Sequence, residues 1–323
     1  MIRFRSRLGA LMRRHLKLRR ALGYLLRNAE YTLRDFDCYL RRTHPQARRI
    51  TRAIVVGYLE TTRSLAPLSR HDRLTSLRQF CRFVFLFDQK TYIPEARLLP
   101  PGAVKVKPHI YSDQDLAALM REAGCLNSRS RSALLSHTYT MILGLLWVTG
   151  LRIGEVTNLN LQDIDLDEGV LTVRQSKFKK SRLVPLHPST VQVLRGYLKQ
   201  RLRGSAETGP AAPFFINRRR RRFTCRTLLG TIQTLAQRAG VRTLQGRAPR
   251  VHDFRHTFAT RTLAALYQSG QDPLARLPVL ATFLGHANIA NTQVYLHPSI
   301  ELLAQAGDRF AAHVGIGRGG RSS

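Results

Sequence analysis

The sequence predicts a mainly α protein with a small antiparallel β-sheet, built as two domains: a helical N-terminal domain and an α+β C-terminal domain. Three observations predict this. Apolar residues recur at helical spacing, with no strand pattern between them, from Tyr24 to Phe87. A proline-rich stretch then breaks the pattern. Beyond it, short segments of strand character sit among longer helical ones. The length, 323 residues, suits two domains of ordinary size.

Residues 1–20 read as a basic N-terminal segment, with Arg3, Arg5, Arg7, Arg13, Arg14, Lys17, Arg19 and Arg20. Charge recurs too often there to leave the apolar stretch of a signal peptide. Residues 21–92 read as the helical domain. Its stripes are Leu33, Phe36, Tyr39 and Leu40; Ile54, Val55, Tyr58 and Leu59; and Leu74, Leu77, Phe80, Cys81, Val84 and Phe85. Residues 93–109 read as an extended, basic linker, from Ile93-Pro94 through Pro100-Pro101-Gly102 to Lys107-Pro108.

Residues 110–312 read as the second domain. Ser112 precedes Asp113-Gln114-Asp115 as a helix N-cap with acids in the first turn. A long helix covers Ala133–Val148, and Gly150 stops it. Strand character follows at Ile164–Leu166, Val170–Val173 and Leu183–Leu186. Asp167-Glu168-Gly169 forms the first hairpin turn, and Gln175 to Arg182 the longer second one. Helices resume at Ser189–Leu202, Thr224–Ala239, Asp253–Tyr267, Pro273–Leu284 and Pro298–Phe310. Residues 313–323, rich in Gly, Arg and Ser, read as a disordered tail.

Lys and Arg number 53 against 20 Asp and Glu, a net charge of +33. A compact chain with that excess repels itself, and a polyanion relieves the repulsion. Nucleic acid fits best. A membrane surface fits less well, because no basic amphipathic anchor stands out. The longest apolar run, Met141–Val148, is far short of a span. Cys38, Cys81, Cys125 and Cys225 are too scattered for a zinc site or a disulfide framework. The expected setting is the cytoplasm, in association with the nucleoid. Arg218–Arg222 are five consecutive arginines, read as a phosphate-facing loop against the alternative of a merely solvated one.

Three segments carry residues suited to chemistry. In Thr149-Gly150-Leu151-Arg152-Ile153-Gly154-Glu155, an arginine stands at the start of a helix, where free backbone N–H groups favour anions. Glu155 is close enough to orient it, so a purely structural ion pair is the alternative. In Val251-His252-Asp253-Phe254-Arg255-His256, His252 and Arg255 share a helix face, pairing a proton carrier with a phosphate clamp. His252 and His256 also have the spacing of a zinc pair, but the second residue is not Glu and Arg255 would stand beside the metal. A histidine satisfied within the core is the other alternative. In Leu284-Gly285-His286, the histidine is followed nine residues later by Tyr295.

The order of these motifs resembles the tyrosine recombinase, or phage integrase, family. Arg152 lies in its T-G-L-R-x-x-E segment, His252 and Arg255 in its H-x-x-R, and His286 in its L-G-H, with Tyr295 at its nucleophile. Gln175–Leu186 looks like its hairpin G-K-x-x-K-x-R-x-V-P-L, which gives Lys177 the lysine's place; Ser176 replaces the usual Gly, and Lys179 and Lys180 compete. The stretch Arg276–Leu280 resembles a transposon-associated branch more than the cell-division resolvases. The resemblance spans Tyr24 to Phe310.

The resemblance implies a helical core-binding domain and an α+β catalytic domain. It implies a site-specific recombinase or integrase that cuts and rejoins duplex DNA through a 3′-phosphotyrosyl intermediate. The implied catalytic residues are Arg152, Lys177, His252, Arg255, His286 and Tyr295. No metal or other cofactor is implied, because the cations take the metal's role. The implied partners are double-stranded DNA, copies of the chain forming a tetramer on two DNA sites, and sibling recombinases or DNA-bending accessory proteins; no membrane is involved. The competing readings are a type IB topoisomerase-like relaxase and a non-catalytic DNA-binding protein on the same fold.

Overall fold

A computed structural model describes residues 4–24, 26–100, 107–127, 133–174, 181–204, 207–286 and 288–296. The chain divides into two compact units, Met1–Val106 and Lys107–Ser323. Among the described residues no helix is long and apolar enough to cross a membrane.

The first unit holds α1 (Gly9–Ala21), α2 (Arg27–Thr43), α3 (Arg52–Glu60) and α4 (Pro67–Phe85). Thr51 caps α3 by accepting from the Ile54 N–H, and Pro67 opens α4, where its missing N–H costs nothing. The three apolar stripes form the core, with Phe36, Val55, Tyr58, Leu77 and Phe80 fully buried. One stripe differs at its end: Phe83 is buried, whereas Phe85 is exposed.

This unit is wider at both ends than the helical stripes suggested. Phe4, Leu8, Met12 and Leu16 recur every fourth residue and enter the same core, so residues 4–20 of the basic segment belong to the packed unit. Arg13, Arg14, Lys17 and Arg20 of α1 are exposed. The buried Asp37 accepts from the backbone N–H groups of Arg5 and Ser6, both at 2.9 Å, and fastens the entry to α1. At the other end Ile93 and Leu98 pack on the core, Leu99 is buried, and the Arg78 Nε donates to the Pro94 carbonyl at 2.8 Å.

The second unit opens with α5 (Asp113–Gly124), where Ser112 and Asp115 form a reciprocal capping box. Its centre is α6 (Ala133–Thr149), whose Ile142, Leu143, Leu145 and Leu146 are buried. The short α7 (Ile153–Asn158) leads to an antiparallel sheet ordered β1 (Ile164–Asp165), β2 (Val170–Val173), β3 (Arg182–Pro185). Val170 faces Pro185 and Val173 faces Arg182. The first hairpin turns at Gly169, with φ +65°, and the Asp165 side chain accepts from the N–H groups of Asp167 and Glu168.

Among the described residues four longer helices follow, α8 (Pro188–Gly204), α9 (Cys225–Arg238), α10 (Asp253–Gln268) and α11 (Pro273–Leu284), and then the single turn α12 (Ala290–Gln293). The strand-like Phe214–Ile216 does not join the sheet; Pro213 and Ile216 make isolated bridges to Asn160 and Arg222. Ala259 and Leu263 of α10 pack with Leu277, Leu280 and Leu284 of α11 into a separate small core that also takes Tyr295. The helix expected at Pro298–Phe310, the tail, and Lys177 with the hairpin tip 175–180 lie outside the described residues.

Candidate active site

The site begins where α6 ends. Gly150 has φ +59°, and a β-carbon there would stand 2.7 Å from the Phe258 ring, so both conformation and space demand glycine. The turn sets Arg152 just ahead of α7. Its backbone N–H donates to Glu155 Oε2 and its Nη1 to Glu155 Oε1, both at 2.9 Å.

Glu155 has a second cationic partner. Arg182, on β3, donates through Nη1 to Oε1 at 3.0 Å and through Nη2 to Oε2 at 2.9 Å, a bidentate pair. Its Nε donates to the Phe283 carbonyl at 2.7 Å, tying the sheet to the end of α11. Burial alone would raise the Glu155 pKa. The hydrogen bonds and charge of Arg182, backed by Arg152, bring it below the usual carboxylate range. One buried carboxylate therefore holds two guanidinium groups.

Arg255 has no such counter-ion among the described residues. It lies in the first turn of α10 and is 1% exposed. Its Nη1 donates to the Gly150 carbonyl at 3.1 Å and its Nη2 to the Leu284 carbonyl at 2.6 Å. Arg152 reaches the same place, with Nη1 at 3.5 Å from Leu284 O and Nη2 at 3.4 Å from Gly285 O. Burial, and then the charge of Arg152, push the Arg255 pKa down to about 10, so it keeps its charge at neutral pH. A buried cation held only by carbonyl dipoles is costly, and a bound anion offsets that cost.

The imidazoles and the phenol touch one another. His286 follows Gly285, whose φ of +69° ends α11 with the His286 N–H donating back to the Ala281 carbonyl at 2.9 Å. His286 Nδ1 lies 2.7 Å from the hydroxyl of the fully buried Thr292. The His286 ring stacks on Tyr295, with centroids 6.1 Å apart and planes at 16°. His256 also meets Tyr295, edge-on at 5.2 Å, and His252 meets His256 at 5.1 Å. Tyr295 itself sits in the 3-10 turn Val294–Leu296 and is 6% exposed.

All three imidazoles are pushed toward neutrality. Burial and the charges of Arg255 and Arg152 bring His286 down to about 4. Burial and His252 bring His256 down to about 4. His252, at the rim, is lowered by desolvation and then by Arg255 and Arg152. Neutral imidazoles beside fixed cations can accept a proton or share one in a hydrogen bond.

Of the six residues singled out in the sequence, Arg152, His252, Arg255, His286 and Tyr295 come together here, and Lys177 lies outside the described residues. Three further neighbours join them. Arg182 lies in the hairpin motif before Val184-Pro185-Leu186. The sequence offers His256 only as a metal ligand or a core histidine. Thr292 carries no sequence signal. Among the described residues no group of three or more His, Cys, Asp or Glu could hold a metal ion.

The sequence profile of the phage integrase family matches residues 115–301. A protein of Sinorhizobium fredii provisionally named integrase/recombinase y4rB is 38% identical over 294 residues, covering 90% of this chain and 93% of the relative. Among solved structures, the Tn1549 transposon integrase in complex with transposon right end DNA has a TM-score of 0.63 at 16% identity, covering 93% of this chain and 99% of that one. A lambda integrase tetramer bound to a Holliday junction has a TM-score of 0.59 at 17% identity, covering 89% of this chain and 76% of that one. At such identities the two structures are likenesses of fold.

Proposed function

Because the chain belongs to the phage integrase family, we propose that it is a tyrosine site-specific recombinase that cuts and rejoins duplex DNA. The observation that carries this reading is the meeting of two guanidinium groups, Arg152 and Arg255, at the Leu284 carbonyl, with Tyr295 in ring contact with the imidazoles of His256 and His286.

In this reading the Tyr295 phenol oxygen attacks a backbone phosphorus. The phosphorus–O5′ bond breaks, leaving a 3′-phosphotyrosyl ester and a free 5′-hydroxyl. The bond count is conserved, so a 5′-hydroxyl of another strand reverses the step and seals a recombined strand without an external energy source. Arg152 and Arg255 clamp the non-bridging oxygens as negative charge builds on the pentavalent phosphorus. Lys177 protonates the leaving 5′-oxygen, and His252 assists removal of the phenol proton. His286, steadied by Thr292, hydrogen-bonds the phosphate.

The first unit serves as a helical DNA-binding domain, and the stretch around residues 101–108 links it to the catalytic unit. The assembly is a tetramer on two DNA sites, the working location is the nucleoid, and the DNA served is that of a mobile element. The likeness to a transposon integrase and to a tetrameric integrase supports these last readings.

The test is covalent trapping. Nicked duplexes with a randomised core are mixed with the full chain, and DNA that stays on the protein in detergent is sequenced. The wild type is expected to retain a defined sequence, and Tyr295→Phe to retain none while still binding duplex. Equal retention by both would overturn the proposal.

A further inference from the structure

We propose that the turn Asn217–Arg222 is a pre-formed phosphate-binding finger, which grips the DNA backbone close to the cleavage site; this inference rests on the recombinase reading above.

The turn is built, not loose. Ile216 and Arg222 pair across its base. The Asn217 N–H donates to the Arg221 carbonyl at 2.9 Å, and the Arg220 N–H to the Asn217 carbonyl at 2.8 Å. The Asn217 side-chain oxygen accepts from the N–H groups of Arg219 at 2.8 Å and Arg221 at 3.2 Å. Five arginines in a row therefore do different jobs. Arg222 turns inward and donates through Nη1 to the carbonyls of Thr157 at 2.8 Å and Leu159 at 3.3 Å, and through Nη2 to Asn160 Oδ1 at 2.5 Å. Arg218, Arg219, Arg220 and Arg221 are exposed, and no ion pair among the described residues involves them.

Two features argue for a ligand rather than a solvated loop. Arg220 is held at φ +56°, a left-handed conformation that glycine adopts at no cost and other residues at about 1 kcal/mol or more. An arginine in a glycine position keeps a charge there against that strain. The finger also runs into the start of α9, where Thr224 caps the helix, Arg226 is exposed in the first turn and no acid is present. The free N–H groups of that turn add to an already cationic surface.

Its placement follows from Arg222. The carbonyls that Arg222 holds belong to the far end of α7, and Arg152 stands at the near end. A six-residue helix is about 9 Å long. The finger is thus set to take backbone phosphates near the one clamped by Arg152.

The experiment measures binding of the full chain to a fluorescent duplex of arbitrary sequence between about 50 and 200 mM NaCl. Wild type is compared with Arg220→Gly and with a fourfold variant, Arg218→Ala, Arg219→Ala, Arg220→Gly and Arg221→Ala. Each lost phosphate contact lowers the slope of log K against log salt by roughly 0.9, so the expected losses are roughly 0.9 and roughly 3 to 4. Arg220→Gly relieves strain, so its melting temperature should hold or rise, which separates lost contacts from lost folding. Unchanged slopes in both variants, with the wild type binding duplex, would overturn the finger alone. A wild type that holds no duplex at the lowest salt would overturn the recombinase reading and the finger together.

Discussion

Gly285 and Arg182 share one space: a β-carbon on residue 285 would stand 2.6 Å from Arg182 Nη1. Gly285 also has φ +69°. Gly285→Ala therefore meets backbone strain of about 1–2 kcal/mol and pushes Arg182 away from Glu155. Glu155 orients Arg152 as well, so the disturbance travels to the clamp. The expected result is a fall in covalent trapping of about a hundredfold with duplex binding near normal, read as adduct formed per minute on a nicked duplex.

Glu155 is the buried counter-ion of two arginines. Glu155→Gln leaves both cations short of a negative partner, and breaking a buried pair costs about 3–5 kcal/mol. A melting temperature lowered by several degrees is expected. The wild-type carboxyl titrates below the ordinary range, so its contribution is present above its unfolded pKa of 4.5 and is lost as pH falls through the lower folded value. Melts of the two proteins should converge on acidification below that range.

Arg255→Lys tests whether geometry or charge matters. A lysine keeps one positive charge but cannot reach the Gly150 and Leu284 carbonyls at once as the guanidinium does. Trapping is expected to fall by about a hundredfold with little change in the salt dependence of duplex binding. A trapping rate within a few-fold of wild type would remove the bidentate clamp from the account.

His15 lies buried between Phe80 and Phe83, and burial followed by the charge of Arg19 brings its pKa down to about 4. Its unfolded value is 6.5, so as pH falls below 6.5 the unfolded chain takes the proton first. Stability of the first unit should drop between pH 6.5 and 4, by about 3 kcal/mol at the bottom. His15→Leu should flatten that dependence in thermal melts from pH 7 to 5.

Much of this was legible in the sequence because it is local. Ser112 and Thr224 mark helix starts through their own side chains, and Gly150 and Gly285 mark stops through their backbone. The three strands fall within a residue or so of where alternation put them. What stayed hidden is local pattern under heavy charge, or pairing across the chain. The apolar residues of α1 at every fourth position are interleaved with arginines, which makes the segment read as a basic arm. Phe83 and Phe85 are both apolar, and only the packing decides which is buried. Arg182 meets Glu155 from another element, and Thr292 meets His286 through a fold no spacing rule describes. The role of His256 is hidden in the sequence because the ring it touches, Tyr295, lies 39 residues further on.

The most direct measurement is mass spectrometry of the trapped adduct. After nuclease and protease digestion, the peptide carrying residue 295 should bear a nucleotide through a phosphodiester on the tyrosine oxygen. A nucleotide attached to any other side chain, or an active preparation with no nucleotide attached, would contradict the account.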